Sequence, residues 1–179
     1  MAQKHVDWAI ILPNIVFKGL KMSAIELDRT DLRILAELQR DGRLSNQELA
    51  DRVSLSPSPC LRRVRRLEEQ GFIKKYVALI DAAKVGLGLL AYVNIRLNKH
   101  SGSSHAPMSD FARDVQLWPE VVECYAMSGD MDYLLRIQVA DLAHFSRFAM
   151  DTLMRHPAVV DMRSFFALQQ IKETTELRI

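Results

Sequence analysis

Pro57 and Pro59 stand two residues apart, and the stretch behind them, residues 60–70, holds neither proline nor glycine. Proline is tolerated only in the first turn of a helix, where its missing N–H would have had no partner. A helix running through residues 60–70 must therefore begin at this pair, and Gly71, just past its end, supplies the stop. At about 100° per residue, Cys60, Val64 and Leu67 share one narrow arc and face inward. Ser58, Pro59, Arg62 and Arg66 lie on the opposite side, with Arg63 and Arg65 flanking them.

Two helix signals precede this one. Asp28 with Asp31 makes a capping-box-like start, followed by Leu32, Leu35 and Leu38 at helical spacing, with Gly42 as the stop. Ser45 with Glu48 is a second capping box, and Leu49, Ala50 and Val53 form its buried stripe. Ser54-Leu55-Ser56 then turns the chain into the proline-led helix. Two short helices joined by a tight turn, the second basic on its outer face, can enter a DNA major groove. The charge distribution agrees. The whole chain is only +2, yet residues 58–75 carry six Lys/Arg against Glu68 and Glu69. A solvated Arg/Glu face is the usual source of a charge run, but a one-sided cationic excess on the second helix of such a pair favours nucleic acid.

Beyond Lys75 the period changes. Residues 76–80 read as a strand, either a wing or a connector, which places a DNA-binding domain at 22–80. In residues 81–179 a strand alternates Ala91, Val93, Ile95 and Leu97 with polar neighbours, and Ser101-Gly102-Ser103-Ser104 with Pro107 is a loop. A helix over 109–117, strands over 121–128 and 133–139, a helix through Leu142, Phe145, Phe148, Ala149 and Leu153, and a strand over 159–168 complete the order. That order, βαββαβ, is the ferredoxin-like plan, so the fold class is α+β: a winged helix-turn-helix followed by a ferredoxin-like domain. Residues 1–21 have no sustained period and read as an extension outside this fold, from an upstream start codon or an appended segment. The alternative is a short arm that contacts DNA or a neighbouring subunit.

The composition, 49% apolar and 26% charged, excludes disordered and low-complexity chains. Cys60 and Cys124 make no disulfide framework or zinc pattern, which suits a reducing cytoplasm. The apolar run at residues 8–12 is cut by Pro13 and is too short to span a bilayer, so no membrane partner is expected. His5, His100, His105, His144 and His156 have no accompanying nucleophile pattern, and Gly86-Leu87-Gly88 lacks the third glycine and the lysine of a phosphate loop. No catalytic residue, metal site or resident cofactor is assigned, and the chain does not read as an enzyme.

Ser128-Gly129-Asp130-Met131-Asp132-Tyr133 is the one polar cluster between two apolar strands. Gly and Asp are what a hairpin turn demands in any case. They also expose backbone groups and carboxylates able to hold a free amino acid, with Asp130 and Asp132 both expected to project outward.

These segments carry a resemblance. Residues 55–73, in which Ser56-Pro57-Ser58-Pro59 leads into Arg62-Arg63-Val64-Arg65-Arg66-Leu67 and closes on Gly71-Phe72-Ile73, resemble the recognition-helix signature of the Lrp/AsnC, or feast/famine, transcription regulators. Residues 121–136 resemble the effector turn of the same family, and the likeness runs from about residue 25 to the end. Residues 164–175 are similar to the cysteine-responsive and branched-chain-catabolism branches, without fixing the ligand. The resemblance implies a DNA-binding regulator of promoters that responds to an amino-acid effector and pairs through its sheets into dimers that assemble further, typically to octamers. On this reading Ser56, Ser58, Pro59 and Arg62 approach the DNA, while Arg63, Arg65, Arg66 and the helix start at Ser45 hold phosphates. Met127, Ser128, Gly129, Asp130, Met131, Asp132 and Tyr133 form the effector site. The competing expectation is a sequence-tolerant architectural DNA binder whose second domain only oligomerises.

Overall fold

The computed structural model describes residues 27–98 and 107–179. The extension 1–21, the loop at 101–104, and His5, His100 and His105 lie outside the described residues. The chain divides into two units: one runs to Tyr76 and takes in Thr175–Ile179, and the other spans Val77–Thr174.

The first unit is built on three helices, α1 (Arg29–Arg40), α2 (Asn46–Val53) and α3 (Pro57–Glu69). Both expected capping boxes form. Asp28 accepts the Asp31 N–H at 2.8 Å while the Asp31 carboxylate accepts the Asp28 N–H at 3.2 Å. Ser45 accepts the Glu48 N–H at 3.2 Å and donates its own N–H to Glu48 at 2.8 Å. Gly42 does not act as a left-handed cap, because α1 already ends on Asp41 in extended conformation. Ser54 turns left-handed instead, at φ 59°, and the Leu55 N–H donates to the Ala50 carbonyl at 2.9 Å to close the turn into α3. Gly71, at φ +76°, ends α3 as expected.

Ile34, Leu49, Ala50, Val53, Cys60 and Leu67 form the buried centre, with Val64 and Ile73 packed against it. The inward arc of α3 is therefore the one its period indicates. Thr175–Ile179, which the sequence places with the second domain, packs with this unit. The Gln39 side chain donates to the Leu177 carbonyl at 3.1 Å and accepts its N–H at 2.6 Å, and Arg40 pairs with Glu176 at 3.2 Å.

The second unit is a four-stranded antiparallel sheet of β1 (Leu89–Leu97), β2 (Val121–Ala126), β3 (Tyr133–Val139) and β4 (Val159–Phe166), with α4 (Pro107–Asp114) and α5 (Leu142–Phe148). The strand order β2-β3-β1-β4 is that of the ferredoxin-like plan. Registers such as Val93↔Leu135 and Ala91↔Ile137 set the apolar positions of β1 and β3 side by side on one buried face. Phe111, Val115, Phe145, Phe148, Ala149 and Leu153 share that core.

Two elements differ from expectation. The helix after Leu142 is not uniform: residues Ala149–Leu153 widen into a π turn. The inward residues Phe145, Ala149 and Leu153 recur every fourth position, which at about 100° per residue drifts by about 80° over two turns. A wider i→i+5 turn removes the drift and keeps all three on the core. Residues 76–80 form no strand within one chain. Tyr76, Val77, Leu79 and Ile80 stand exposed, because a strand needs a ladder partner and this segment pairs with none of the four strands of the sheet.

Phe111 is fully buried, with its ring centroid 4.9 Å from Tyr133, 5.5 Å from Trp118 and 5.3 Å from His156. Phe111→Ala is expected to destabilise the second unit by about 3–5 kcal/mol, read as a shift in the urea midpoint at unchanged slope.

Candidate nucleic-acid interface and effector turn

Along α3 the residues Ser58, Pro59, Leu61, Arg62, Arg65, Arg66 and Glu69 recur at helical spacing and line a broad open groove of about 780 Å³. Ser58, Arg62 and Arg65 are exposed, and Pro59 is half-buried. Ser56 caps α3 without a side-chain hydrogen bond to it. Ser45 is exposed at the start of α2, its hydroxyl committed to the capping box. Asn46, which drew no notice in the sequence, donates to the Pro57 carbonyl at 2.9 Å and ties the start of α2 to the start of α3. These two helix starts are where backbone N–H groups face an anion most favourably.

The four arginines of α3 separate into two pairs. Arg62 and Arg65 project from the outer face. Arg63 and Arg66 turn toward α1. One Nη of Arg63 lies 2.6 Å from Asp28 and 2.8 Å from Asp31, and an Nη of Arg66 lies 2.5 Å from the second oxygen of Asp31. Asp31 is itself only 1% exposed. Arg66 starts from the face opposite the buried arc, as its period indicates, but its side chain reaches over the edge of α3 to a carboxylate of α1 rather than standing free for phosphate. The Asp31 N–H and then Arg63 hold the Asp28 carboxyl below its ordinary value, and the hydroxyl and N–H of Ser45 do the same for Glu48.

In the second unit the turn between β2 and β3 is closed by the Met127 N–H donating to the Asp132 carbonyl at 2.9 Å. Gly129 sits at φ +121°, a conformation that disfavours any side chain, and faces open space. Met127, Ser128, Gly129 and Asp130 are exposed and Met131 is half-buried. Asp132 does not project outward. It is buried, its N–H donates to the Ile95 carbonyl and its carboxylate accepts the Leu97 N–H, each at 2.8 Å. β1 still has a backbone N–H to satisfy past its last pairing with β3, and Asp132 is the acceptor within reach. Tyr133 is buried as well, against Phe111, and burial pushes its phenol above the ordinary value. The turn therefore offers backbone groups and Asp130 outward, and is held in shape by Asp132 and Tyr133.

Burial raises the thiol pKa values of Cys60 and Cys124, which disfavours the reactive thiolate. Among the described residues no three His, Cys, Asp or Glu side chains gather as a metal site, and no helix is long and apolar enough to cross a membrane.

Comparison with known proteins covers both units. The Lrp/AsnC ligand binding domain matches residues 90–177 and a winged helix-turn-helix DNA-binding domain matches residues 27–74. The chain is 44% identical over 161 residues to the leucine-responsive regulatory protein of Serratia marcescens, spanning 90% of this chain and 96% of that one. It is 44% identical over 154 residues to the protein of the same name from Escherichia coli K12, spanning 86% of this chain and 92% of that one. Among solved structures, a transcriptional regulator of Neisseria meningitidis in complex with L-Met superposes with a TM-score of 0.81 at 46% identity, over 86% of this chain and 97% of that one. An AsnC family regulator of Agrobacterium tumefaciens follows at 0.78 and 43%, over 85% and 97%.

Two outcomes are expected. Asp132→Ala leaves the Leu97 N–H without its acceptor and lowers stability by about 1–3 kcal/mol in chemical denaturation. Acid weakens the first unit through Asp28 and Glu48. Their folded pKa values lie below the ordinary 3.8 and 4.5, so their contribution is complete above those values and is lost as pH falls from there through the depressed ones. Urea midpoints measured from about pH 7 to about pH 3 should fall only below about pH 4.5 for this cause.

Proposed function

The chain belongs to the Lrp/AsnC family of transcription regulators, and from that premise we propose that it is an amino-acid-responsive regulator that binds promoter DNA sequence-specifically in the cytoplasm. The observation that carries this reading is the outer face of α3: Ser58, Pro59, Arg62 and Arg65 line one groove on a helix whose opposite face is packed into the core. Ser58, Pro59 and Arg62 reach base edges, while Arg65 and the helix starts at Ser45 and Ser56 hold phosphates. Arg63 and Arg66 serve the same surface from behind, through their pairs with Asp28 and Asp31.

The effector is a free amino acid at the β2–β3 turn. Its carboxylate takes exposed backbone N–H groups around Ser128 and Gly129, and its ammonium pairs with Asp130. Met127 and Met131 offer adaptable apolar contact to its side chain, with Asp132 and Tyr133 shaping the site from within. Homodimers form through the sheets and associate further, toward octamers. Tyr92, Tyr125, Val160 and Phe165, exposed on the sheet, and the unpaired residues 77–80 support that assembly. A ligand that favours one assembly shifts the population toward it and so changes how the α3 helices are spaced along DNA.

Fluorescence anisotropy with a duplex selected from a randomised pool, and with an unselected duplex of equal length, tests the DNA reading. Tighter binding to the selected duplex is expected, and Arg65→Ala should lose about 0.9 in log–log salt slope. Equal affinity for both duplexes would favour a sequence-tolerant architectural binder. Thermal shift against the twenty amino acids, beginning with methionine and leucine, tests the effector. Ligand at about 100 times its Kd adds about 2.7 kcal/mol of apparent stability. Gly129→Val should remove that gain and leave effector-free DNA binding intact.

A further inference from the structure

The division of the α3 arginines has a direct bearing on how DNA is discriminated. A guanidinium free to reach phosphate adds affinity for every sequence alike, since phosphate contacts carry no base information. Four such groups on one helix would raise binding to all DNA and dilute the share decided by base edges. The first unit does not leave four free. Both oxygens of Asp31 are taken, one by Arg63 at 2.8 Å and the other by Arg66 at 2.5 Å, and Asp28 adds a contact to Arg63 at 2.6 Å. Arg66 is the telling case, because it lines the same groove as Arg62 and Arg65 yet spends its charge inward. Its Nε is buried without a partner, an arrangement that persists only because the Nη contact to Asp31 holds the guanidinium there.

We propose that Asp31 is a specificity-determining positioning residue for DNA binding: it withdraws Arg66 and Arg63 from the phosphates and leaves Arg62 and Arg65 as the cations of the groove. This rests on the reading of α3 as the helix that enters the groove. Asp31 touches no DNA. It acts through the two arginines, and its charge, more than its shape, is what the role requires. Asparagine keeps the size and one acceptor oxygen but gives up the charge, so Asp31→Asn frees Arg66 toward the backbone while the cap at Asp28 can still form.

The test compares wild type and Asp31→Asn in anisotropy titrations against the selected and the unselected duplex over a range of salt. Asp31→Asn is expected to bind the unselected duplex more tightly, to steepen the salt slope by about 0.9 for the phosphate that Arg66 gains, and to narrow the ratio between the two duplexes. Asp31→Asn/Arg66→Gln should return the slope to that of wild type. A purely structural role would lower thermal stability and weaken both duplexes at unchanged slope, and that result overturns the proposal. Should Asp31→Asn fail to fold, Arg66→Gln decides, because it keeps Asp31 paired with Arg63 and the Asp28 amide. Its slope should match wild type while Arg65→Gln loses about 0.9, and an equal loss in both would make Arg66 a phosphate ligand and refute the inference. Wild type that binds neither duplex with salt dependence would instead refute the reading of α3, which separates the two failures.

Discussion

The carboxylate of Asp31 joins the first turn of α1 to the middle of α3, and the rest of the DNA-facing surface depends on where that junction holds the helix. It accepts the Asp28 N–H as part of a helix cap and, with the same two oxygens, receives two guanidinium groups from α3. A buried carboxylate with every oxygen engaged fixes the rotation of α3 about its own axis in a way that apolar packing of Cys60 and Leu67 alone does not. Removing the arginines would leave the buried Asp31 carboxylate less compensated, while removing Asp31 would leave two guanidinium groups that still reach solvent. Rotation matters here because a helix in a groove presents only one stripe, and a turn of one residue exchanges Arg62 for Arg63.

Asp132 does comparable work in the second unit. It carries the end of β1 on its carboxylate and its own N–H, and so couples the turn after β2 to the central strand. The exposed part of the turn, Ser128 to Asp130, is short and rests on a base that includes Asp132, Tyr133 and Phe111. On the proposed reading of this turn as the effector site, a small ligand would meet backbone already in place, which limits the ordering cost of binding.

Much of this was legible in the order of residues. Caps announce themselves locally, so Asp28 with Asp31 and Ser45 with Glu48 located two helix starts, and Pro57, Pro59 and Gly71 bounded the third. Alternation located the strands, because Ala91, Val93, Ile95 and Leu97 have only one face on which to bury. What was not legible depends on partners distant in sequence. Whether an arginine on a basic helix meets phosphate or a carboxylate is decided by Asp31, far from Arg66 along the chain, and no local pattern reports it. Asp132 misled for the same reason: its spacing suits an exposed turn, and its acceptor role at Leu97 arises only once β1 lies beside β3.

The pinning of Leu177 and Glu176 to Gln39 and Arg40 makes the first unit discontinuous along the chain. Its helices need only nearby residues and can form as soon as the chain through Tyr76 has been synthesised. The contacts from Gln39 to Leu177 must wait until the ribosome has delivered the sheet as well, and they close a loop whose entropic cost rises only slowly with its length. The unit that meets DNA is therefore the first to take shape during translation and among the last to be finished.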